Sequence, residues 1–245
     1  MSSRIESRPL RLGAVLGLCR VSNLPTVWMN VLAATLASGA YIGQDMLLLA
    51  VSMSCFYCGG MAMNDLFDLA HDRVHQPYRP IAAGRLEVRQ ASAITVALFV
   101  VGFGVLSLTP HPLVAAGAAT ALFASILIYN RWHKRHASTV LAMGAARGLV
   151  YFVTAAALTG TFAMGVVALA AAQMLYTLLV TGVARVELRL PTGRYGWPVI
   201  PWMIAAMPLV DGIVLALLLR APIWLLVGAA CSVLTRIGQR YVRGD

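Results

Sequence analysis

Long apolar stretches separated by short polar connections run through almost the whole chain. Each stretch holds roughly 18 or more mostly apolar residues, enough to cross a bilayer as an α-helix. Their approximate limits are 24–43, 46–63, 91–109, 113–130, 140–159, 161–183, 197–219 and 221–238. The pattern predicts an all-α polytopic membrane protein, a bundle of about eight transmembrane helices in a single integral membrane domain over residues 1–245.

The composition agrees with this class. Of the 245 residues, 60% are hydrophobic and 11% are charged. A typical soluble domain carries about 25% charged residues. The composition therefore excludes an ordinary soluble domain.

Basic residues are concentrated in alternate connections between the apolar stretches. They are Arg4, Arg8, Arg11 and Arg20 before the first stretch, Arg73, Arg79, Arg85 and Arg89 after the second, Arg131, Lys134 and Arg135 after the fourth, Arg185, Arg189 and Arg194 after the sixth, and Arg236, Arg240 and Arg243 in the tail. Because arginine and lysine favour cytoplasmic loops, both termini and these loops are predicted to be cytoplasmic, in a membrane of the cell inner membrane type. This arrangement beside anionic lipid explains the net charge of +10 without a nucleic acid partner.

The eight stretches divide into two sets of four. In each set the longest basic connection follows the second stretch, at about 64–90 and 185–197. Many polytopic folds are built from such internal repeats. The organisation predicts two four-helix halves, with the chemistry in these two connections.

The first connection opens with a cluster of acids, Asp65, Asp68 and Asp72, behind Asn64. On a continuous helix this spacing places the three carboxylates on one face. Their repulsion would be relieved by a divalent cation or by protonation of one acid. Mg²⁺ prefers oxygen ligands and commonly bridges carboxylates to substrate phosphates. The cluster therefore predicts a Mg²⁺ site for a phosphate-bearing substrate.

Two other interpretations of the cluster are open. The acids could be solvated groups that cap a helix beside basic lipid-facing residues. Alternatively, His71 and His75, four residues apart, could bind zinc or iron together with Asp68 or Asp72.

Cationic groups that suit a diphosphate follow the fourth stretch and occur within the fifth. Lys134 and Arg135 follow Tyr129, and Arg147 lies in an apolar segment. A charge within a membrane costs at least about 2.5 kcal/mol and normally faces a polar cavity or a partner. Arg147 is therefore predicted to line a cavity or to form a structural salt bridge. Asp211, in the seventh stretch, is either an inward-facing polar lock or a residue of a deeper pocket.

Three segments together resemble the UbiA superfamily of intramembrane prenyltransferases. Residues 64–72 (NDLFDLAHD), continued by 78–85 (YRPIAAGR), look like the first signature of that family. Tyr129, Lys134 and Arg135 are similar to its basic motif after the fourth span. The segment 20–26 (RVSNLPT) resembles the beginning of the family's first span.

The resemblance implies a helix bundle around a lipid-accessible cavity, capped by cytoplasmic loops. In the family, Mg²⁺ held by Asp-rich motifs binds a prenyl diphosphate, the allylic C–O bond ionises, and an acceptor captures the carbocation. Carried over to this chain, Asp65, Asp68 and Asp72 would be the metal-binding and catalytic residues, helped by Asn64. The candidates for contact with the diphosphate are Arg79, Tyr129, Lys134, Arg135 and Arg147.

The chain departs from the family pattern after the sixth stretch. The family usually carries a second acidic motif there, but the segment 181–189 (TGVARVELR) retains Glu187 as its one acid. Glu187 falls where Asp68 stands in the first motif, and it is predicted to contact substrate. Arg185 or Arg189 is predicted to contact the diphosphate in place of a second metal.

These features predict a Mg²⁺-dependent membrane prenyltransferase. It would move a prenyl group from an allylic prenyl diphosphate to a hydrophobic acceptor in the bilayer, either aromatic or lipid. The alternative is a non-catalytic relative that binds or traffics a prenyl-lipid precursor. A transporter agrees less well with the sequence, because the carboxylates cluster at one surface instead of forming a path across the membrane.

Overall fold

The computed structural model describes residues 10–187, 189, 190, 193 and 195–244, and within these ranges all regular structure is helical. Arg4, Arg8 and Arg194 lie outside the described residues. The helices are α1 Leu12–Leu18, α2 Leu24–Ala37, α3 Gln44–Phe67, α4 Leu69–His75, α5 Val88–Leu106, α6 Pro112–Trp132, α7 Val140–Thr159, α8 Met164–Glu187, α9 Val199–Ala205, α10 Met207–Leu219 and α11 Ile223–Tyr241. Short 3₁₀ turns, Val21–Asn23 and Ala137–Thr139, precede α2 and α7.

The predicted class, an all-α polytopic membrane bundle, is confirmed. A helix occupies each of the eight apolar stretches. By length and apolarity, however, six segments of the described chain qualify as membrane spans: Gln44–Phe67, Val88–Leu106, Pro112–Trp132, Ala137–Thr159, Met164–Glu187 and Val199–Leu219. Large side chains on their outer faces, such as Leu113, Leu175 and Leu217, are exposed and suit contact with lipid.

The first and last predicted spans, 24–43 and 221–238, do not meet these requirements of length and apolarity. Helix α2 has 14 residues, because the Ser38 hydroxyl bonds to the Ala34 carbonyl and Gly39 takes a left-handed backbone (φ 71°), which ends the helix. Helix α11 is less apolar because its last turns carry Arg236 and Arg240.

Of the three apolar clusters in the described residues, two include α2 and α7. The first packs α3, α5 and α6 against α2 and α7, and its centre contains Phe56, whose ring meets those of Phe99 and Phe103 edge to face. The second packs α2 and α7 against α8, α10 and α11. Because α2 and α7 contribute to both clusters, they form the middle of the molecule. Polar side chains on these two helices lie between the two apolar clusters.

The seventh span is broken at Ala206, where α9 ends and α10 begins. Pro208 has no N–H, so a regular helix cannot run through this point. Side chains of α8 bond to carbonyls around the break: the Tyr176 hydroxyl donates to the Met203 carbonyl (2.9 Å), and the Gln173 amide donates to the Met207 carbonyl (2.7 Å). The break is thereby fixed in place beside α8.

Helices α10 and α11 cross at a pair of glycines. A Cβ placed on Gly228 would lie 2.7 Å from the Pro208 carbonyl oxygen and 3.1 Å from the Cα of Gly212. We expect Gly228→Ala to lower the free energy of unfolding by about 1–3 kcal/mol, because the helices must separate. Thermal unfolding in detergent measures the effect.

Gly117→Ala on α6 is the matched control, since a Cβ there would meet no atom within 4 Å. Alanine is the better helix former by about 0.5–1 kcal/mol, so this variant should be as stable as the wild type or more stable. Equal melting temperatures for the two variants would contradict the close helix crossing.

Candidate active site

The three predicted acids lie together at one end of the bundle, which we call the Asp68 end. The continuous helix predicted through them is wrong: α3 stops at Phe67, and Asp68 joins it to α4. Its backbone departs from helical geometry (φ −93°, ψ 0°), although the Asp68 N–H still bonds to the Asn64 carbonyl and the Asp72 N–H to the Asp68 carbonyl. Asp65, Asp68 and Asp72 are 2%, 7% and 1% exposed, so the interpretation as solvated capping groups is wrong.

Two arginines neutralise Asp65 and Asp72. The guanidinium of Arg79 lies 3.2 Å from an Asp65 oxygen and 2.8 Å from an Asp72 oxygen. The guanidinium of Arg20 lies 3.1 Å from the same Asp65 oxygen. The mutual repulsion of the acids is therefore relieved in this structure by cations of the chain itself.

Arg20 was not among the predicted site residues. Its backbone is left-handed (φ 45°, ψ 48°), which is uncommon for a residue other than glycine and persists where the surroundings enforce it. Its buried ion pair with Asp65 is such a constraint. The sequence signal was its place at the start of segment 20–26, but the charge alternation explained it equally well as a residue that orients the chain.

The basic segment after α6 contacts the remaining acid. Lys134 Nζ lies 2.7 Å from one Asp68 oxygen and His133 Nε2 lies 3.3 Å from the other. The ring of Tyr129 stacks on His133. Burial favours a higher pKa for the Asp68 carboxyl, but the hydrogen bonds from His133 and Lys134 outweigh it and hold the pKa below its usual value. The same hydrogen bond raises the pKa of His133.

Asn64 connects α3 to α6. Its amide donates to the Asn130 side-chain oxygen (3.1 Å) and to Asp68 (3.3 Å), while Arg79 donates to its oxygen (3.4 Å). Asn130 in turn donates to the Gly60 carbonyl. Asn130 and His133 are further residues that the sequence reasoning did not select, because spacing along the chain does not show that they reach Asn64 and Asp68.

The remaining predicted residues lie outside this network. Arg135 is exposed and contacts no acid among the residues that the structure describes. Glu187 accepts a hydrogen bond from the Tyr195 N–H (3.0 Å). Arg185 donates to the Ala137 carbonyl (3.0 Å), close to the basic segment, whereas Arg189 is exposed in a turn.

A cavity of about 360 Å³ opens next to the acids. Its polar lining near the Asp68 end comes from Arg20, Asn64, Arg79 and Tyr129, and Arg147 lines it deeper in the bundle. Most of the remaining wall is apolar and includes Val27, Met53, Phe56, Leu122, Ile126, Met143, Val150, Ile200 and Ile204. The site thus combines charged groups at one end with a hydrocarbon-like interior.

Two charged residues predicted inside the membrane have different surroundings. Arg147 lines the cavity and makes no salt bridge within the described part of the chain. The structure therefore favours the predicted cavity-lining role over a structural salt bridge. Asp211 is fully buried and does not line the cavity. It accepts hydrogen bonds from the Tyr151 hydroxyl (2.5 Å) and the Asn30 amide (2.6 Å), which makes it an interior polar lock.

The family model of the UbiA prenyltransferase family matches residues 22–243. The chain belongs to this family. The match covers the acids, the basic segment and most of the residues that line the cavity, so the resemblance carried by the sequence segments is confirmed.

Curated members of the UbiA family show local similarity. A digeranylgeranylglyceryl phosphate synthase from Saccharolobus solfataricus is 30% identical over 95 residues, covering 38% of this chain and 34% of that protein. A protoheme IX farnesyltransferase from Trichormus variabilis is 34% identical over 95 residues, covering 38% and 30%. A chloroplastic 2-acylphloroglucinol 4-prenyltransferase from Humulus lupulus is 27% identical over 194 residues, covering 66% and 46%. Each match spans less than half of the relative's length.

Solved structures of UbiA proteins share the fold over nearly the whole chain. A structure of digeranylgeranylglyceryl phosphate synthase matches with a TM-score of 0.63 at 18% identity, covering 94% of this chain and 95% of that one. A UbiA homologue from Archaeoglobus fulgidus bound to GPP and Mg²⁺ matches with a TM-score of 0.54 at 14% identity, covering 93% and 97%. At these identities the likeness establishes the fold alone.

The donor set of the acids suits Mg²⁺. Asp72 Oδ1 is buried without a hydrogen-bond partner among the described residues, and His71 Nδ1 lies 3.7 Å from it. A carboxylate oxygen of this kind is a ligand that Mg²⁺ prefers. In this structure the three acids pair with Arg20, Arg79 and Lys134. In this arrangement the described residues contain no group of three His, Cys, Asp or Glu side chains placed to hold a metal ion. The zinc or iron site predicted at His71 and His75 is not formed, since their rings stack on each other.

Proposed function

We propose that this protein is a Mg²⁺-dependent prenyltransferase of the membrane. It moves a prenyl group from an allylic prenyl diphosphate to a membrane-associated acceptor, aromatic or lipid. The observation that carries the proposal is a set of buried carboxylates paired with Arg20 and Arg79, two cations that line a largely apolar cavity. The names of the relatives, a farnesyltransferase among them, support the reaction class. We assign the activity to one domain over residues 1–245, with both termini and the site loops cytoplasmic.

The donor's diphosphate belongs at the Asp68 end. Asp65, Asp68 and Asp72, with Asn64, would hold Mg²⁺, which when bound supplies positive charge to neutralise a leaving diphosphate. Arg79 and Lys134 already lie among these acids and carry N–H donors suited to phosphate oxygens. Tyr129 lines the cavity close by and is assigned as a further donor.

The contacts of Arg135, Glu187, Arg185 and Arg189 with substrate stay predictions. None of these side chains reaches the acids in the described part of the chain. Arg185 donates to the carbonyl of Ala137, just after the basic segment.

The apolar wall suits the second half of the reaction. When the allylic C–O bond breaks, its electron pair leaves with the diphosphate and the prenyl group becomes cationic. Side chains such as Phe56, Leu122 and Val150 offer no nucleophile and exclude water. The cation is then captured by the acceptor, which forms the new bond and releases a proton.

A second candidate function is binding or trafficking of a prenyl-lipid precursor without catalysis. The observation that favours it is the lack of a second acidic motif, since Glu187 is the one acid in segment 181–189. The two functions share a donor site and differ in whether the C–O bond is cleaved.

Release of diphosphate separates the two functions. Purified protein in lipid nanodiscs is incubated with Mg²⁺ and dimethylallyl, geranyl, farnesyl or geranylgeranyl diphosphate, with and without phenolic and glycerolipid acceptors. We expect acceptor-dependent release with at least one donor, and little change in Arg240→Ala, whose exposed side chain lies outside the site. Saturable donor binding without release in any combination would instead favour the binding protein.

A further inference from the structure

A second pocket, of about 310 Å³, adjoins the apolar cavity at the Asp68 end. Arg20 and Arg79 line both spaces, and Asp65 also lines the second pocket. Arg85 and Arg243 complete a set of four arginines around it, against one carboxylate among the described residues of the lining. A pocket with this excess of positive charge attracts anions.

A short segment after α11 lies between the pocket and the cavity. Its residues are Val242, Arg243 and Gly244, and we call them the strap. Val242 and Arg243 line the second pocket, whereas Gly244 lines the apolar cavity. The Asn23 amide donates to the Gly244 carbonyl (2.8 Å), and the Arg243 guanidinium lies 4.0 Å from the centre of the Tyr78 ring. The strap therefore forms part of the wall where the two spaces meet.

The charged groups of the site are covered in this structure. The side chains of Arg20, Asp65 and Arg79 are 7%, 3% and 11% exposed. A multiply charged diphosphate group is not expected to approach them through hydrocarbon, because an unpaired charge in an apolar phase is strongly unfavourable. It must arrive from the water at the Asp68 end, where the second pocket has exposed side chains at its edge, such as Tyr241. Part of the covering structure must therefore open.

The strap is the part of this covering that is held least firmly. The loop after α4 is fixed by the ion pairs of Arg79 and by Ile81 and Leu86, which are buried in an apolar cluster. Helix α1 is anchored in the same cluster by Leu18. None of the three strap residues is buried. Segments with few buried contacts open at the lowest free-energy cost.

We propose that the second pocket is the entrance for the donor's diphosphate group and that the strap is its gate. The inference rests on the proposed prenyltransferase function and adds the route by which the charged group reaches the acids. With the strap open, the pocket and the cavity join beside Arg20 and Arg79, so the diphosphate can enter while the prenyl chain lies in the apolar cavity. With the strap closed, water is kept from the reacting carbon. After transfer, the free diphosphate leaves by the same route.

The rate constants for binding and release of a donor analogue test the gate without turnover. Radiolabelled farnesyl thiodiphosphate is mixed with protein in nanodiscs in the presence of Mg²⁺, and its release is followed after an excess of unlabelled analogue is added. Arg243→Ala removes the contact with Tyr78. Gly244→Ala displaces the strap, since a Cβ there would lie 2.6 Å from Asn23 Oδ1, and Asn23 is itself held by hydrogen bonds with Tyr57 and Gln239.

We expect each variant to raise both the association and the dissociation rate constant by about three- to tenfold. The strap is held by contacts with the protein, so its opening is favoured equally with and without the donor. The equilibrium affinity should therefore stay within about twofold of wild type. Tyr78→Leu should have the same effect as Arg243→Ala, and the two changes together should have no greater effect than either alone, because they remove one contact.

Two matched controls should keep the wild-type rate constants. Arg240→Ala removes an exposed arginine from the last turn of α11, one residue before the helix ends. Gly117→Ala adds a Cβ on α6 where it would meet no atom within 4 Å. The first control separates the position of Arg243 from the loss of any nearby positive charge, and the second separates the crowding at Gly244 from the change to alanine.

Three results would count against the inference or its basis. Unchanged rate constants in both Arg243→Ala and Gly244→Ala would overturn the gate and leave the donor site intact. Faster dissociation with unchanged association, and hence weaker affinity, would also overturn it, because Arg243 would then bind the diphosphate itself. Failure of the folded wild type to bind the donor analogue at all would refute the proposed function.

Discussion

Asp65→Asn and Asp68→Asn should each lower the rate of prenyl transfer by about 10²–10³-fold or more. Asparagine keeps the size of each side chain but removes the negative charge that attracts Mg²⁺. In Asp65→Asn it also leaves Arg20 and Arg79 with one acid fewer between them. Initial rates of diphosphate release in the presence of an acceptor measure the effect.

Asp45→Asn is the matched control for these variants. Asp45 lies in the first turn of the same helix, α3, about 30 Å along the axis from Asp65. Its replacement should leave the rate unchanged, and melting temperatures should show that all the variants fold. Full activity in both Asp65→Asn and Asp68→Asn would exclude the metal-binding role of the acids.

The largest effect on stability is expected at the interior polar lock. Asn30→Leu removes the amide that donates to Asp211 (2.6 Å) and to the Tyr151 hydroxyl (2.6 Å). Asp211 is fully buried, so its lost partner cannot be replaced by water. We expect the free energy of unfolding to fall by about 3 kcal/mol, as measured by denaturation in detergent.

A double-mutant cycle shows whether the loss of stability in Asn30→Leu arises because Asp211 is left without its hydrogen-bond donor. Asn30→Leu combined with Asp211→Leu should cost less than the sum of the single changes, because both polar partners are gone. Thr120→Val is the control: its exposed hydroxyl bonds to its own helix, and the change should stay within about 0.5 kcal/mol. Strictly additive changes in the free energy of unfolding would contradict the interaction between Asn30 and Asp211.

The apolar pattern was sufficient to predict the fold class because a membrane helix is specified by a long local run of residues. The ends of the helices depend on finer features. The helix break at Ala206 follows from Pro208, a visible residue within an apolar run, whereas the early end of α2 depends on how Ser38 and Gly39 fold back. Hydropathy averages over such single residues, so the first predicted stretch, 24–43, runs past the end of α2 at Ala37, and the seventh, 197–219, runs through the break.

Part of the site could also be predicted, because some of its residues are marked by features that are local in the sequence. Local spacing was enough to select Asp65, Asp68 and Asp72, and the cost of a membrane-buried charge was enough to place Arg147 in a cavity. The partners of the acids come from distant parts of the chain: Arg20 is 45 residues from Asp65, and His133 reaches Asp68 from α6. Only helix packing brings these residues together, and spacing along the chain contains no information about it.

The most direct test of the central claim is the affinity for a prenyl diphosphate analogue as a function of Mg²⁺. Farnesyl thiodiphosphate is titrated into nanodisc-embedded wild type, Asp68→Asn and Asp45→Asn, each with Mg²⁺ and with EDTA. If the acids at the Asp68 end form a metal–diphosphate site, wild type and Asp45→Asn should bind at least about tenfold more tightly with Mg²⁺, and Asp68→Asn should not. Equal affinity with Mg²⁺ and with EDTA in the wild type, unchanged in Asp68→Asn, would contradict it.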